Sequence, residues 1–168
     1  MNWARLASFF YIVTFVAGTV ALVVRVGGSA VAAGAIAGTS YIVVTLLLYG
    51  VFRPVSRVVS AIAALVSCAG IVAGLLRMTA LNPLVLFGCY CLLLAYLIAR
   101  STFAPRWLAG LMMFAGLGWL TFISGTLAHM LTPYNFAPGM IGEGALTIWL
   151  LMVGDDHSIW TAAKARQS

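Results

Sequence analysis

The sequence predicts an all-α fold, an integral membrane bundle of six transmembrane helices with the N and C termini cytoplasmic. Composition is the first observation behind it. Hydrophobic residues make up 64% of the 168 residues and charged residues 7%, whereas an ordinary soluble domain is roughly a quarter charged. The second is the arrangement of the apolar residues, which form six runs at 6–24, 30–52, 58–76, 83–99, 107–131 and 138–153. A bilayer core about 30 Å thick takes about 20 apolar residues to cross as a helix, and the runs have that scale. The third is the placing of the cations. With six spans, Arg5, Arg53, Arg57, Arg100, Arg106, Lys164 and Arg166 fall on one side and only Arg25 and Arg77 on the other. Short loops rich in Lys and Arg resist translocation, so the richer side is cytoplasmic. The whole chain, 1–168, reads as a single transmembrane domain with a short amphipathic tail at 155–166.

The first run follows Arg5, and the small residues Ala30-Val31-Ala32 lie downstream of it, as they do at a secretory cleavage site. Its length exceeds the roughly 7–15 apolar residues of a signal core, and Arg25 interrupts the approach. An uncleaved helix is therefore expected. The second run closes at Arg53-Pro54, since proline disfavours a helical residue before it. In the second and third runs, Gly34 with Gly38 and Gly70 with Gly74 are small-residue pairs four apart, a spacing that lets helix backbones approach in lipid. Ala17-Gly18-x-Val20-Ala21-x-x-x-Arg25 also recurs as Ala69-Gly70-x-Val72-Ala73-x-x-x-Arg77, suggesting a parallel repeat of the first and third helices.

Asn82 is placed to cap the fourth helix with Pro83 in its first turn, and Pro138 opens the sixth in the same way. Trp107 and Tyr134 stand where amphipathic rings favour the membrane interface. Cys68, Cys89 and Cys91 all fall inside runs and imply no disulfide framework. Cys89 and Cys91 are two residues apart on a helix, which turns their thiols away from each other. The tail Gly154-Asp155-Asp156-His157-Ser158 groups two carboxylates and an imidazole. Its simpler account is a helix stop followed by a short interfacial helix with Lys164 and Arg166 toward headgroups.

Glu143 is the acidic residue inside the spans, and an intramembrane carboxylate is a functional candidate by default, usually facing the bundle interior and paired. If the sixth helix begins at Pro138, Glu143 lies near the outer surface, level with His129, Arg25 and Arg77. The connection between the fifth and sixth runs is short, so the two helices are adjacent and a contact from Glu143 to His129 is expected. The candidate site is thus an outward-facing polar pocket of Glu143 and His129, with Arg25 or Arg77 as counter-charge and Thr126 as a neutral lining group. The plainer alternative makes Glu143 a brace of the bundle, His129 a wet interfacial residue and the two arginines snorkelling cations. Thr39, Ser40, Tyr41 and Thr45, like Thr121 and Ser124, are of the type that glues helices together.

Several classes are disfavoured. Under this topology His129 and His157 lie on opposite sides, so one chain cannot supply a bis-histidine haem site. Asp155 and Asp156 are likewise separated from His129, which removes a Ser, His and Asp arrangement. The sequence has no Gly-rich phosphate loop and no His-x-x-x-His zinc spacing. No enzyme, cofactor or metal site is expected, and the net charge of +6 is explained by topology without nucleic acid. The expected partners are the lipid bilayer and either a further copy of the chain or a membrane partner protein. The expected role is a non-enzymatic membrane module that binds a partner protein or an apolar ligand; the alternative is a small transporter or channel with an outward-facing vestibule around Glu143.

From Tyr49 onward the order of motifs resembles a bacterial multi-pass membrane family, domain of unknown function 4386. The motifs are Leu48-Tyr49-x-x-x-Arg53-Pro54-Val55-x-Arg57; Phe87-Gly88-x-x-Cys91-Leu92-Leu93-Leu94-x-Tyr96-Leu97-Ile98; Pro105-Arg106 with Ala115-Gly116-Leu117-Gly118; and Pro138-Gly139-x-x-Gly142-Glu143 with Leu146 and Trp149-Leu150. The resemblance implies six helices in a bacterial inner membrane and supplies no activity. Members of that family tend to carry a histidine where this chain has Tyr90, and polar or charged residues where it has Ala64 and Ser67. On the resemblance, this chain keeps Glu143 and lacks companions for it.

Overall fold

The computed structural model describes residues 3–24, 27–78 and 82–153. They form seven α-helices: α1 (Trp3–Val24), α2 (Gly28–Phe52), α3 (Arg57–Leu75), α4 (Pro83–Arg100), α5 (Arg106–Leu120), α6 (Gly125–Leu131) and α7 (Ala137–Val153). Six helical segments are long and apolar enough to cross a membrane, with α5 extended by a 3₁₀ turn to Ile123 and α7 preceded by one from Tyr134. Residues 155–166 lie outside the described residues.

The helix ends follow the local chemistry. Leu84 N–H donates to Asn82 Oδ1 at 3.0 Å with Pro83 in the first turn of α4. Arg53 N–H closes α2 on Tyr49 O at 2.8 Å just before Pro54. Ser56 caps α3 by accepting from Val59 N–H. Pro138 does sit in the first turn of α7, one residue inside its start.

The long helices close into a ring in chain order: α1 packs on α2, α2 on α3, α3 on α4, α4 on α5, α5 on α7, and α7 back on α1. Large apolar side chains such as Phe9, Val16, Leu65, Leu117 and Ile148 point outward and are exposed, while Ser8, Ser40, Thr45, Ser60, Ser67 and Thr147 are buried. Lipid favours this distribution, because it solvates leucine as well as a protein core does and leaves polar groups to find partners inside.

One expected span is corrected. The run 107–131 is not a continuous helix: α5 ends at Leu120, Thr121–Ile123 form a 3₁₀ turn, Ser124 is extended, and α6 is a short separate helix. Hydroxyl and amide side chains break the run by satisfying backbone groups locally. Thr121 Oγ1 donates to Gly118 O at 2.7 Å, Ser124 Oγ accepts from Leu127 N–H, and Asn82 Nδ2 donates to Phe122 O at 3.0 Å.

The small-residue pairs divide. A Cβ on Gly70 would stand 3.2 Å from Leu86 Cβ, and one on Gly74 would stand 3.6 Å from Pro83, so α3 uses both to approach α4; beside Gly34 there is open space. Gly18 also faces open space, so the repeated motif of the first and third helices does not place Gly18 and Gly70 in like surroundings. The tightest helix approaches lie elsewhere. A Cβ on Gly142 would meet Leu111 O at 2.6 Å, and Gly88 and Gly116 each face the other's carbonyl oxygen at 3.0 Å.

Because backbone cannot step aside as a side chain can, Gly142→Ala is expected to force α7 off α5 and cost about 1–3 kcal/mol. Gly18→Ala, facing open space, is expected to leave stability unchanged or slightly raised. Thermal or denaturant unfolding in detergent micelles compares the two.

Candidate functional site

Glu143 lies about 9 Å along α7 from its start, at a rise of about 1.5 Å per residue, and is 4% exposed. The helix presents it inward because the residues one turn either side, Gly139, Leu146 and Thr147, are buried on the same stripe. Gly139 has a further part. The Trp119 indole lies where its Cβ would be, with Nε1 at 2.6 Å from that point, so the missing side chain lets the ring reach past α7.

Both carboxylate oxygens are met from other helices. Trp119 Nε1–H donates to Oε1 at 3.3 Å, Tyr41 Oη–H donates to Oε2 at 3.3 Å, and the Cys91 thiol approaches Oε1 at 4.0 Å. The Tyr41 hydroxyl is in turn 3.4 Å from that of Tyr11. All these groups are neutral, and among the described residues no cation pairs with Glu143. Charge-assisted N–H to carboxylate bonds are usually about 2.7–2.9 Å, so the carboxylate is held by long contacts.

Aromatic rings enclose the group. Phe87 bridges the two ring donors, with centroids 4.7 Å from Tyr41 and 6.2 Å from Trp119. Tyr90 packs on Tyr41 at 6.2 Å and on Phe87 at 6.1 Å. Its hydroxyl is buried and makes no hydrogen bond of good geometry. Beside it, Thr45 and Ser67 are bonded to each other at 2.7 Å.

Beside this wall is a widely open cavity of about 740 Å³, lined from Gly27 and Arg77, at the helix connections, to Tyr41 and Phe87. Gly34 lies along it, and the absence of a side chain there keeps the space clear. Tyr41 thus has its ring on the cavity and its hydroxyl on Glu143.

The structure separates the expected site residues. His129 and Thr126 are exposed on α6, and Glu143 takes its partners from α2, α4 and α5 instead. The reason is the break after Leu120: a continuous fifth helix would have carried both residues along its own axis, but the short α6 packs on the flanking 3₁₀ turns. Arg77 is exposed on the cavity lining with a left-handed backbone, φ 51. Arg25 lies outside the described residues, as does the Asp155, Asp156 and His157 group. Among the described residues no three metal-ligating side chains come together. Sequence reasoning missed Tyr41, Trp119 and Cys91 as partners of the carboxylate. The glycines in Pro138-Gly139-x-x-Gly142-Glu143 were an available signal, since bare backbone beside an intramembrane acid marks where neighbours come close.

Residues 81–154 match a family model described as domain of unknown function (DUF4386), the family the motifs resemble. The matched region includes Glu143, Trp119, Cys91, Phe87 and Tyr90, whereas Tyr11 and Tyr41 come from the part before it. No curated protein and no solved structure matches the chain.

Hydrogen bonds between membrane helices contribute about 0.6 kcal/mol on average and up to about 1.7. Tyr41→Phe and Glu143→Gln are each expected to destabilise on that scale, with a coupling between them in a double-mutant cycle. His129→Ala and Thr126→Ala are expected to stay within about 0.5 kcal/mol of the parent. Reversible unfolding in mixed micelles gives all the values.

Proposed function

We propose that this chain is a non-enzymatic module of the bacterial inner membrane that binds an apolar or amphiphilic small molecule between its helices. The observation that carries this is the cavity of about 740 Å³ walled by α1 to α4, a size within the roughly 300–1,000 Å³ of small-molecule sites. Its lining fits such a ligand: the glycines expose backbone without filling the space, Ile71 and Phe87 supply apolar wall, and Thr14, Tyr41 and Arg77 supply a few polar points. The distribution of cations supports cytoplasmic termini, and on that reading Gly27 and Arg77, on the cavity lining, face the outer side.

A carrier is the second reading, and the position of Glu143 favours it. The carboxylate is bonded to the Tyr41 hydroxyl, and Tyr41 also lines the cavity. Transport predicts flux that changes when Glu143 is neutralised; a binding module predicts occupancy without flux.

Gly34→Leu tests the cavity, because its new side chain enters open space and is expected to leave the fold intact while filling the site. Native mass spectrometry from native-lipid nanodiscs is expected to show a co-purifying small molecule on the parent protein and on Gly18→Leu, and its loss from Gly34→Leu. A molecule kept equally by all three would refute the cavity as its site.

A further inference from the structure

We propose that the ligand of this cavity is an organic cation, held on the faces of Tyr41 and Phe87 with Glu143 as its counter-ion. The inference rests on the cavity reading above and names the chemistry the site selects.

Three features converge. The first is a carboxylate 4% exposed whose partners are neutral donors at 3.3, 3.3 and 4.0 Å. A buried carboxylate is usually paired, and here no cation among the described residues takes that place. The second is the surround. Tyr41, Phe87, Trp119 and Tyr90 form a connected set of rings around Glu143, and two of them, Tyr41 and Phe87, also line the cavity. Ring faces attract cations, ammonium groups above all, and repel anions. The third is access, since Tyr41 and Phe87 are themselves cavity walls. A cation at that end of the cavity lies beside Tyr41, whose hydroxyl is 3.3 Å from the carboxylate.

Arg77 is the opposing charge. It stands two residues beyond Leu75, which packs at Gly38, so it is about level with Gly34 and roughly 10 Å along α2 from Tyr41, and its repulsion on a cation falls off toward Tyr41. An anion held at Arg77 is the competing outcome, and opposite-charge probes of nearly equal shape separate the two.

Tetraphenylphosphonium and tetraphenylborate are titrated calorimetrically against the folded protein in uncharged detergent, with empty micelles subtracted. Saturable phosphonium binding at least tenfold tighter than borate binding is expected. The preference should vanish in Glu143→Gln, persist in Glu143→Asp and be unreduced in Arg77→Ala. If Glu143→Gln does not fold, Tyr41→Leu, which removes the aromatic floor, is expected to weaken phosphonium binding by a similar factor. Tighter borate binding that is lost in Arg77→Ala would overturn the proposal in favour of an anionic ligand. Absence of saturable phosphonium binding, or equal binding to Glu143→Gln, would overturn it as well. Both failures leave the cavity reading standing if Gly34→Leu still strips the co-purifying molecule. Glu143-dependent phosphonium binding that ignores Gly34→Leu would uphold the carboxylate site and refute the cavity.

Discussion

A carboxylate inside a membrane bundle has to find its hydrogen-bond donors within the protein, and the arrangement around Glu143 follows from that need. Lipid supplies no partners at that depth. The donors come from three other helices, Tyr41 on α2, Cys91 on α4 and Trp119 on α5, so one acidic side chain ties together segments far apart in the chain. The glycines complete the arrangement. Gly139 admits the indole, Gly142 brings α7 against the backbone of α5, and Gly88 and Gly116 draw α4 onto α5. Close packing and polar pairing are here one device, because the donors reach the acid only where the helices approach this nearly.

The same packing is uneven around the ring. Where α4, α5 and α7 meet, backbone touches backbone; where α1 to α4 surround the cavity, Gly34 is bare and faces space. Glycine thus has two uses in this chain, closing one side and keeping the other open. A narrower space lies between α2, α3 and α4. Ala64, Tyr90 and Thr45 line it, and Ser67 is bonded to Thr45.

Much of the fold was readable before the structure. Hydropathy and caps located five helices to within three residues at each end, because Asn82-Pro83, Arg53-Pro54 and the charged gaps are local signals. The fifth run was misread because Thr121 and Ser124 are few among apolar neighbours, and their power to end a helix depends on Asn82 and Asn135, which lie far along the chain or across a turn. Glu143 stood out as the acid within the spans. Its partners did not, since Tyr41 is 102 residues away and Trp119 is 24, and nothing local joins them. His129 is near Glu143 in sequence, and the helix break after Leu120 takes that nearness away in space.

Membrane helices enter the bilayer in the order of synthesis, and in this ring the last to arrive is the one that joins both edges. Until α7 is in place, α1 and α5 border an open seam, and the Trp119 indole lacks the acceptor that Glu143 supplies. The helix that fills the seam also brings the carboxylate, so assembly ends with ring closure and polar pairing in a single event. A chain halted before Ala137 leaves the ring unclosed and the Trp119 indole without its carboxylate acceptor.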